Sequence, residues 1–199
     1  MIKGIVFDIP EVLLNGLLGT EKYLNKKYGL QITEDDWVIN EFEMLFHGKI
    51  TEEQYFQALI EKYKWNIPIQ KLKKAVRNNF KEIKGTRQII QELKHRDYKL
   101  GLLSVHAKEW VEYCEEKYGY HKLFDSILYS FEVAMSKPNI KIYELILSKL
   151  EINPSECVFI DDKIRNIKAA GQLGIKTIQF KNHIILRKNL RSLRLKLNN

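Results

Sequence analysis

Short apolar segments that end in a polar residue alternate with amphipathic helical segments along most of this chain. Three such segments end at Asp8, Ser104 and Asp161, and a fourth covers 176–180. Helical periodicity predicts helices between and after them, at 87–96, 107–118, 140–150 and 163–173. Nearly continuous apolar strands joined by helices predict an α/β fold, a Rossmann-like parallel sheet with helices on both faces in three layers.

Residues 17–83 break this alternation, because they contain no convincing strand pattern. Their periodicity instead predicts four helices, at 19–28, 33–46, 51–63 and 69–80. Capping-box patterns at Thr33 and Thr51 mark two of the helix starts. We therefore predict an α/β core made of 1–16 and 84–199, with 17–83 inserted as an all-helical cap over the carboxyl end of the first strand.

Polar residues follow three of the predicted strands, and a fourth polar element begins the helix at 140–150. Asp8, Ser104 and the Asp161-Asp162 pair come at strand ends, and Lys137 precedes that helix. Taken singly, each is more often a helix cap, a turn former or a solvated side chain. Because ligands bind at the carboxyl ends of strands in open α/β sheets, their coincidence predicts one crevice that holds carboxylates, a hydroxyl and an ammonium.

The segments around these positions resemble the haloacid dehalogenase-like (HAD) hydrolase superfamily, specifically phosphatase-type members with a helical cap after the first strand. The resemblance rests on four motifs and covers nearly the whole chain. They are GIVFDIPEVL at 4–13, LGLLS at 100–104, SKPNIKIY at 136–143 and FIDDKIRNIKAAG at 159–171.

The resemblance implies a role for each polar residue. Asp8 would attack phosphorus and form an aspartyl-phosphate that water then hydrolyses. Ser104 and Lys137 would contact the phosphoryl group, and Lys137 would also keep Asp8 ionised. Mg²⁺ is the implied cofactor, and its ligands would be Asp8, the backbone carbonyl of Pro10, Asp161 and Asp162.

The first motif departs from the family pattern at the residue that usually acts as general acid. That aspartate is replaced by Pro10, which cannot transfer a proton, and the following glycine is replaced by Glu11. Glu11, His106 and His47 are the candidate substitutes. Each also has a structural interpretation: Glu11 as a solvated residue at the hinge, His106 as a cap of the next helix, and His47 as a surface residue.

The favoured function is a Mg²⁺-dependent phosphatase of a small phosphorylated metabolite, either weak or selective for good leaving groups. The alternative is a catalytically impaired HAD-fold protein that binds a phosphorylated ligand or a protein partner. Dehalogenation is disfavoured, because that chemistry uses a cap arginine and no arginine occurs before Arg77.

The net charge of +8 comes mostly from the last nineteen residues, since 181–199 hold six basic residues and no acidic one. Leu186, Leu190, Leu193 and Leu197 share helical spacing there, which predicts a helix docked on the core rather than a nucleic-acid or membrane patch. Two distant cysteines and the lack of a membrane-spanning apolar run favour a reduced, cytoplasmic protein. The oligomeric state is left open.

Overall fold

A computed structural model of the chain describes residues 1–197 and contains a five-stranded parallel sheet. The strands are β1 (Gly4–Phe7), β2 (Lys99–Ser104), β3 (Ser126–Tyr129), β4 (Cys157–Asp161) and β5 (Lys176–Gln179). Their spatial order is β3-β2-β1-β4-β5, and every neighbouring pair is parallel. This arrangement confirms the predicted α/β class and places β1 at the centre of the sheet.

Residues 1–197 contain ten helices, of which four lie in the segment 17–83 after β1 and six lie in the rest of the chain. The first group is α1 (Thr20–Tyr28), α2 (Asn40–Phe46), α3 (Glu52–Tyr63) and α4 (Ile69–Asn79). The second group is α5 (Lys84–Lys94), α6 (Lys108–Tyr118), α7 (Ser130–Val133), α8 (Ile140–Leu150), α9 (Ile164–Gln172) and α10 (His183–Ser192). Short 3₁₀ turns at Asp35–Trp37, His121–Leu123 and Pro154–Glu156 complete the chain.

The sheet is covered on both faces, as the apolar strands predict. Ile5 and Phe7 of β1 point into one hydrophobic cluster, which also contains buried residues of α5, α6, α10 and the helices before α5. Val6 and Leu103 point into a second cluster with α8 and α9. The alternation along β1 is the two-residue period of a strand, so the molecule has three layers.

The structure corrects the sequence-based predictions at two elements. Strand β3 is not predicted by the apolar pattern, because it is an edge strand in which only Leu128 and Tyr129 are buried. The predicted helix at 33–46 is divided into the 3₁₀ turn at Asp35–Trp37 and α2, which begins only at Asn40, because Val38 and Ile39 between them have non-helical backbone angles. At Thr33 half of the predicted capping box is present, since the Asp36 carboxylate accepts the Thr33 N–H at 2.7 Å and the Thr33 hydroxyl at 2.8 Å.

The capping box at Thr51 is present. The Thr51 hydroxyl oxygen accepts the Gln54 N–H at 3.2 Å, and the Gln54 side-chain oxygen accepts the Thr51 N–H at 2.9 Å. The pair satisfies two N–H groups at the start of α3 and fixes where that helix begins.

The basic C-terminal segment docks on the core through α10. Leu186 and Leu190 are buried, and the Arg187 guanidinium donates two hydrogen bonds of 2.7 Å to the two carboxylate oxygens of Glu92 on α5. The leucine spacing therefore marks a packed helix face at Leu186 and Leu190, whereas Leu193 and Leu197 lie after the end of α10 and are only partly buried. No helix within residues 1–197 has both the length and the apolar composition needed to cross a membrane.

Candidate active site

The predicted polar residues collect at the carboxyl edge of the sheet. Strand β1 pairs with both β2 and β4, so the residues that end these three strands lie side by side. Asp8 follows β1, Ser104 ends β2 and Asp161 ends β4. Parallel pairing in this register is the reason why residues separated by up to 153 positions in the sequence reach one crevice.

Lys137 joins two of these carboxylates. It lies between α7 and α8, and its ammonium Nζ is 2.9 Å from Asp8 Oδ1 and 2.6 Å from Asp161 Oδ2. Nζ also donates to the Leu103 carbonyl of β2 at 3.0 Å. The three charged side chains are nearly inaccessible to solvent, with exposed fractions of 1%, 6% and 0% for Lys137, Asp8 and Asp161. The ammonium thus reaches all three central strands.

The protonation of this group follows from burial and from the shared ammonium. Burial raises the pKa of Asp8 to about 7, although Lys137 acts in the opposite direction. At Asp161 burial also raises the pKa, but the Lys137 ammonium and several hydrogen bonds outweigh it and lower the pKa overall. Lys137 therefore opposes the effect of burial at both carboxylates and outweighs it at Asp161.

The hydrogen bonds of Asp8 leave one of its carboxylate oxygens available. Oδ1 accepts the Ile9 N–H at 2.7 Å as well as the Lys137 ammonium. Within residues 1–197, no hydrogen bond reaches Oδ2. The carboxylate is thereby held in place through one oxygen, and the other can react.

A group of oxygen ligands suited to a hard divalent cation lies beside Lys137. Carboxylate oxygens of Asp8, Asp161 and Asp162 lie within 4.8 Å of one another. Asp162 Oδ1 and Asn166 Oδ1 are buried and have no hydrogen-bond partner among the described residues. Since buried oxygens without partners are costly and Mg²⁺ prefers oxygen ligands, this donor set fits Mg²⁺.

Asn166 orients one of these carboxylates. Its amide Nδ2 donates to both oxygens of Asp161, at 3.0 and 2.9 Å, and the Lys163 N–H donates to Asp161 Oδ1 at 2.8 Å. Asp161 is therefore fixed by hydrogen bonds from the start of α9 as well as by Lys137. The sequence places Asn166 next to the metal-ligand motif but does not reveal this role.

The hydroxyl of Ser104 is the least connected of the predicted site atoms. Ser104 is fully buried, and its Oγ has no hydrogen-bond partner within the described part of the chain. It does not line the cavity described below. The structure therefore places Ser104 at the carboxyl end of β2, as predicted, but does not bring its hydroxyl to the cavity lining.

Pro10 and Glu11 both line the cavity, and they occupy a tight turn after β1. The Pro10 carbonyl oxygen accepts no hydrogen bond within residues 1–197, so it remains available as a ligand. Glu11 has a positive φ of 60°, a conformation that favours glycine. Its Oε1 accepts the Gly16 N–H at 2.7 Å, which braces the turn, and burial raises the pKa of its carboxyl group.

The two histidines occupy different places. His106 is buried and lines the cavity. Its Nδ1 accepts the Ala107 N–H at 3.1 Å. Burial lowers the pKa of His106 to about 4. His47 does not line the cavity, but its side chain is only 12% exposed and its Nε2 lies 2.9 Å from Ser136 Oγ. The interpretation of His47 as a surface residue is therefore wrong.

The polar residues form the floor of a cavity of about 710 Å³. Asp8, Lys137 and Asp162 lie at the floor, whereas α2 and the turn before it contribute an apolar wall that includes Val38, Phe42 and Phe46. This volume is typical of sites that enclose a small molecule. The sequence identifies Phe42 and Phe46 only as helix-packing positions, because helical spacing alone does not show whether a packed face borders a cavity.

Two other structural features at this edge are not predicted by the sequence. Glu52 is buried at the start of α3 and accepts a hydrogen bond from the Trp110 indole N–H at 2.8 Å. Trp110 is a buried residue, as expected, but it also lines the cavity. Glutamate in the first turn of a helix normally indicates a solvated position, so the sequence gives no signal for this contact.

Comparison with known proteins agrees with this geometry. A family model described as haloacid dehalogenase-like hydrolase matches residues 5–180. A D-ribitol-5-phosphate phosphatase from Bacteroides thetaiotaomicron is 24% identical, with 92% of this chain and 93% of that protein covered. The sesquiterpene phosphatase astK from Aspergillus oryzae is 25% identical, with 96% of each chain covered.

Solved structures show the same fold. A HAD family enzyme from Bacteroides thetaiotaomicron, crystallised in complex with magnesium and inorganic phosphate, superposes with a TM-score of 0.78. The two sequences are 24% identical, and the match covers 92% of this chain and 96% of that one.

Proposed function

Since this chain belongs to the haloacid dehalogenase-like hydrolase family, we propose that it is a magnesium-dependent phosphatase of a small phosphorylated metabolite. One observation carries the proposal: the buried Lys137 ammonium contacts Asp8 at 2.9 Å and Asp161 at 2.6 Å, beside a third carboxylate and a cavity of substrate size. The phosphatase activity named for the relatives supports the same reaction class.

The proposed reaction has two displacements at phosphorus. Asp8 Oδ2 attacks the phosphoryl group, a P–O bond forms to Asp8, and the bond to the organic oxygen breaks; this oxygen then takes a proton from water to give the alcohol. A second water attacks the phosphorus of the aspartyl-phosphate and loses its proton to solvent, which restores the carboxylate and releases inorganic phosphate. Lys137 holds Asp8 through its other oxygen and stabilises negative charge that develops on the phosphoryl oxygens.

Asp8, Asp161 and Asp162, with the Pro10 carbonyl, are the residues proposed to hold Mg²⁺. Bound there, the ion offsets the charge of the phosphoryl group and orients it toward the nucleophile. Asn166 and Lys137 keep Asp161 in position for this role, and Ser104 is proposed to donate a hydrogen bond to a phosphoryl oxygen.

Pro10 limits how the alcohol can leave. Because proline carries no proton to donate, the leaving oxygen departs without help from the usual position, and such help is typically worth ~10²–10⁴ in rate. We propose that the enzyme is weak, or selective for substrates whose leaving group is stable as an anion. Glu11 is the carboxyl group to test as a substitute, although its hydrogen bond to Gly16 also gives it a structural role in the turn.

The helices α1–α4, within 17–83, are proposed to act as the cap of this site. Two observations support a cap within 17–83. These helices contribute to the cavity wall, and no strand of the sheet lies between Thr20 and Asn79.

The experiment compares phenyl phosphate with 2-phenylethyl phosphate in the presence of Mg²⁺. The two esters share an aromatic ring but differ greatly in the acidity of the leaving alcohol. We expect the phenyl ester to be hydrolysed far faster, and Asp8→Asn to abolish turnover of both while Asp35→Asn, at an exposed position, does not. Equal rates for the two esters would show that another acid is present, and Glu11→Gln would then identify or exclude Glu11.

The replacement by Pro10 also favours a second candidate function, a protein of this fold that binds a phosphorylated ligand or a partner without turning it over. Absence of hydrolysis of either ester by folded wild-type protein would support it. Calorimetric titration with Mg²⁺ would then show whether the carboxylate cluster still binds the metal.

A further inference from the structure

The cavity above the phosphoryl site has a composition that bears on the substrate. We propose that the substrate is a phosphomonoester that carries a single phosphate and an apolar, uncharged organic part, such as an aromatic ring or a hydrocarbon chain, rather than a polyol. This inference rests on the proposed phosphatase function, and it adds the chemical class of the alcohol.

The wall contributed by residues before α4 is mostly apolar. Of the ten residues between 17 and 83 that line the cavity, seven are apolar, and Asn40 is the one uncharged polar residue. Phe42 and Phe46 stack edge to face with ring centroids 4.4 Å apart, so their rings are fixed relative to one another. An aromatic or hydrocarbon group can fill such a wall by contact alone.

Some of these apolar side chains are not covered by the protein itself. Leu18 is 48% exposed and Val38 is 64% exposed, and both line the cavity. Large apolar side chains exposed together at a concave surface are typical of a ligand contact. Burial of these side chains against an apolar ligand would be favourable, at about 25 cal/mol per Å².

The wall offers a polyol three polar side chains as hydrogen-bond partners, Asn40, Glu34 and Glu43, and all three are solvent-exposed. Each hydroxyl that leaves water needs a hydrogen bond, and a buried hydroxyl without one costs about 1–3 kcal/mol. The remaining polar residues of the wall are Glu34 and Glu43, which are both acidic and solvent-exposed. They would repel a second phosphate or a carboxylate, which is why the organic part is expected to be uncharged.

The charges that suit a phosphate are confined to the other end of the cavity. Lys137, Lys163 and Arg165 line it beside Asp162, whereas no basic residue of 17–83 does so. The cavity therefore has one end for an anion and its counter-ion, and another end for an apolar group. A phosphomonoester with an apolar organic part would therefore bind in one orientation, with its phosphate at the charged end and its organic part at the apolar end.

The test compares 2-phenylethyl phosphate with glycerol 1-phosphate in the presence of Mg²⁺. Both release a primary alcohol of similar acidity, so the comparison isolates recognition of the organic part from departure of the leaving group. We expect kcat/KM to be at least tenfold higher for the aromatic ester, because methylene-scale differences in an apolar pocket already change rates by about 10–200-fold.

A pair of variants ties the preference to the wall. Val38→Asn changes an exposed residue that lines the cavity, and Met44→Asn changes an exposed residue of α2 that does not. We expect Val38→Asn to reduce the preference for the aromatic ester several-fold and Met44→Asn to leave it unchanged. Equal kcat/KM for the two esters, or a preference that Val38→Asn does not alter, would overturn the inference.

Binding separates this inference from the proposed function. Calorimetric titration of the Mg²⁺-loaded Asp8→Asn protein with each intact ester measures affinity without turnover. If the wild type hydrolyses neither of these esters nor phenyl phosphate, but 2-phenylethyl phosphate binds at least tenfold more tightly than glycerol 1-phosphate, the apolar assignment is supported and the phosphatase assignment fails. Equal turnover and equal affinity support the phosphatase but overturn the apolar assignment, and absence of binding together with absence of hydrolysis of all three esters overturns both.

Discussion

His47 Nε2 lies 2.9 Å from the hydroxyl oxygen of Ser136, the residue that precedes Lys137. A second hydrogen bond runs nearby from the Ser130 hydroxyl to the Phe46 carbonyl, at 2.6 Å. Together they join the end of α2 to the segment that carries the site ammonium. The wall of the cavity and its charged floor are thus connected directly and do not depend only on the long route through the chain.

Removing the first of these bonds is expected to weaken substrate binding. In Ser136→Ala the loss of one partly buried hydrogen bond should cost about 1 kcal/mol of unfolding free energy. We expect KM for phenyl phosphate to rise several-fold, because Ser136 lines the cavity, with a smaller change in kcat. Steady-state kinetics measure both constants. His95→Ala changes an exposed histidine away from the cavity. An equal rise in KM in that variant would contradict this explanation.

Glu52 is expected to be a major determinant of stability. Its buried carboxylate accepts hydrogen bonds from Trp110 at 2.8 Å and from Arg77 Nη2 at 2.7 Å. Glu52→Gln replaces one acceptor oxygen with an NH₂ group that faces these donors, and breaking a buried charge pair in this way typically costs about 3–5 kcal/mol. The urea midpoint of unfolding, followed by tryptophan fluorescence, should fall accordingly.

Glu53 provides the matched control for that measurement. It is the next residue of α3, its side chain is 62% exposed, and it pairs with Lys73 at 3.3 Å. Exposed pairs contribute little, so Glu53→Gln should lower the unfolding free energy by less than about 0.5 kcal/mol. Similar losses in the two variants would show that the buried network is not what stabilises this region.

His106 should make folding stability depend on pH. Burial lowers its pKa from 6.5 to about 4, so the folded protein binds a proton there less readily than the unfolded chain does. Stability from this residue is therefore complete above pH 6.5 and is lost as pH falls toward 4. Between pH 7 and pH 5 the loss is expected to be about 2 kcal/mol.

The variant His106→Gln isolates that contribution. It cannot titrate in this range, so the decline of unfolding free energy between pH 7 and pH 5 should be about 2 kcal/mol smaller than in the wild type. Comparison of slopes removes any constant cost of the substitution itself. An unchanged slope in His106→Gln would mean that His106 is protonated as easily in the folded protein as in the unfolded one.

Mg²⁺ is expected to stabilise the folded protein through the carboxylate cluster. An ion that binds only the folded state raises Tm according to its concentration relative to Kd. Asp162→Asn removes one charge from the cluster without removing a partner of Lys137, so it should weaken Mg²⁺ binding at least tenfold and reduce the Tm increase. Asp35→Asn, at an exposed site, should leave that increase intact. An equal increase in Asp162→Asn and the wild type would exclude Asp162 as a ligand.

The convergence of Asp8, Lys137 and Asp161 could be predicted from sequence because parallel strands with polar ends leave few arrangements open. The wall of the cavity could not be predicted in the same way. Whether 33–46 is one helix or a turn and a helix depends on the backbone at Val38 and Ile39, two β-branched residues whose non-helical conformation the apolar periodicity does not reveal. The hydrogen-bond partners of Glu52 and His47 could not be predicted either, because they lie 58 and 89 residues away along the chain.

The buried residues of the helices before α5 belong to the same hydrophobic cluster as Ile5 and Phe7 of β1. The helices before α5 therefore have no hydrophobic core of their own. Trp37 and Tyr55 would lose part of their packing if the sheet unfolded. We expect heat to melt the whole chain in a single cooperative transition, with calorimetric and van't Hoff enthalpies that agree. A piece cut out at 17–83 would lose its contacts with the sheet, so the helices that line the cavity depend on the sheet for their own stability.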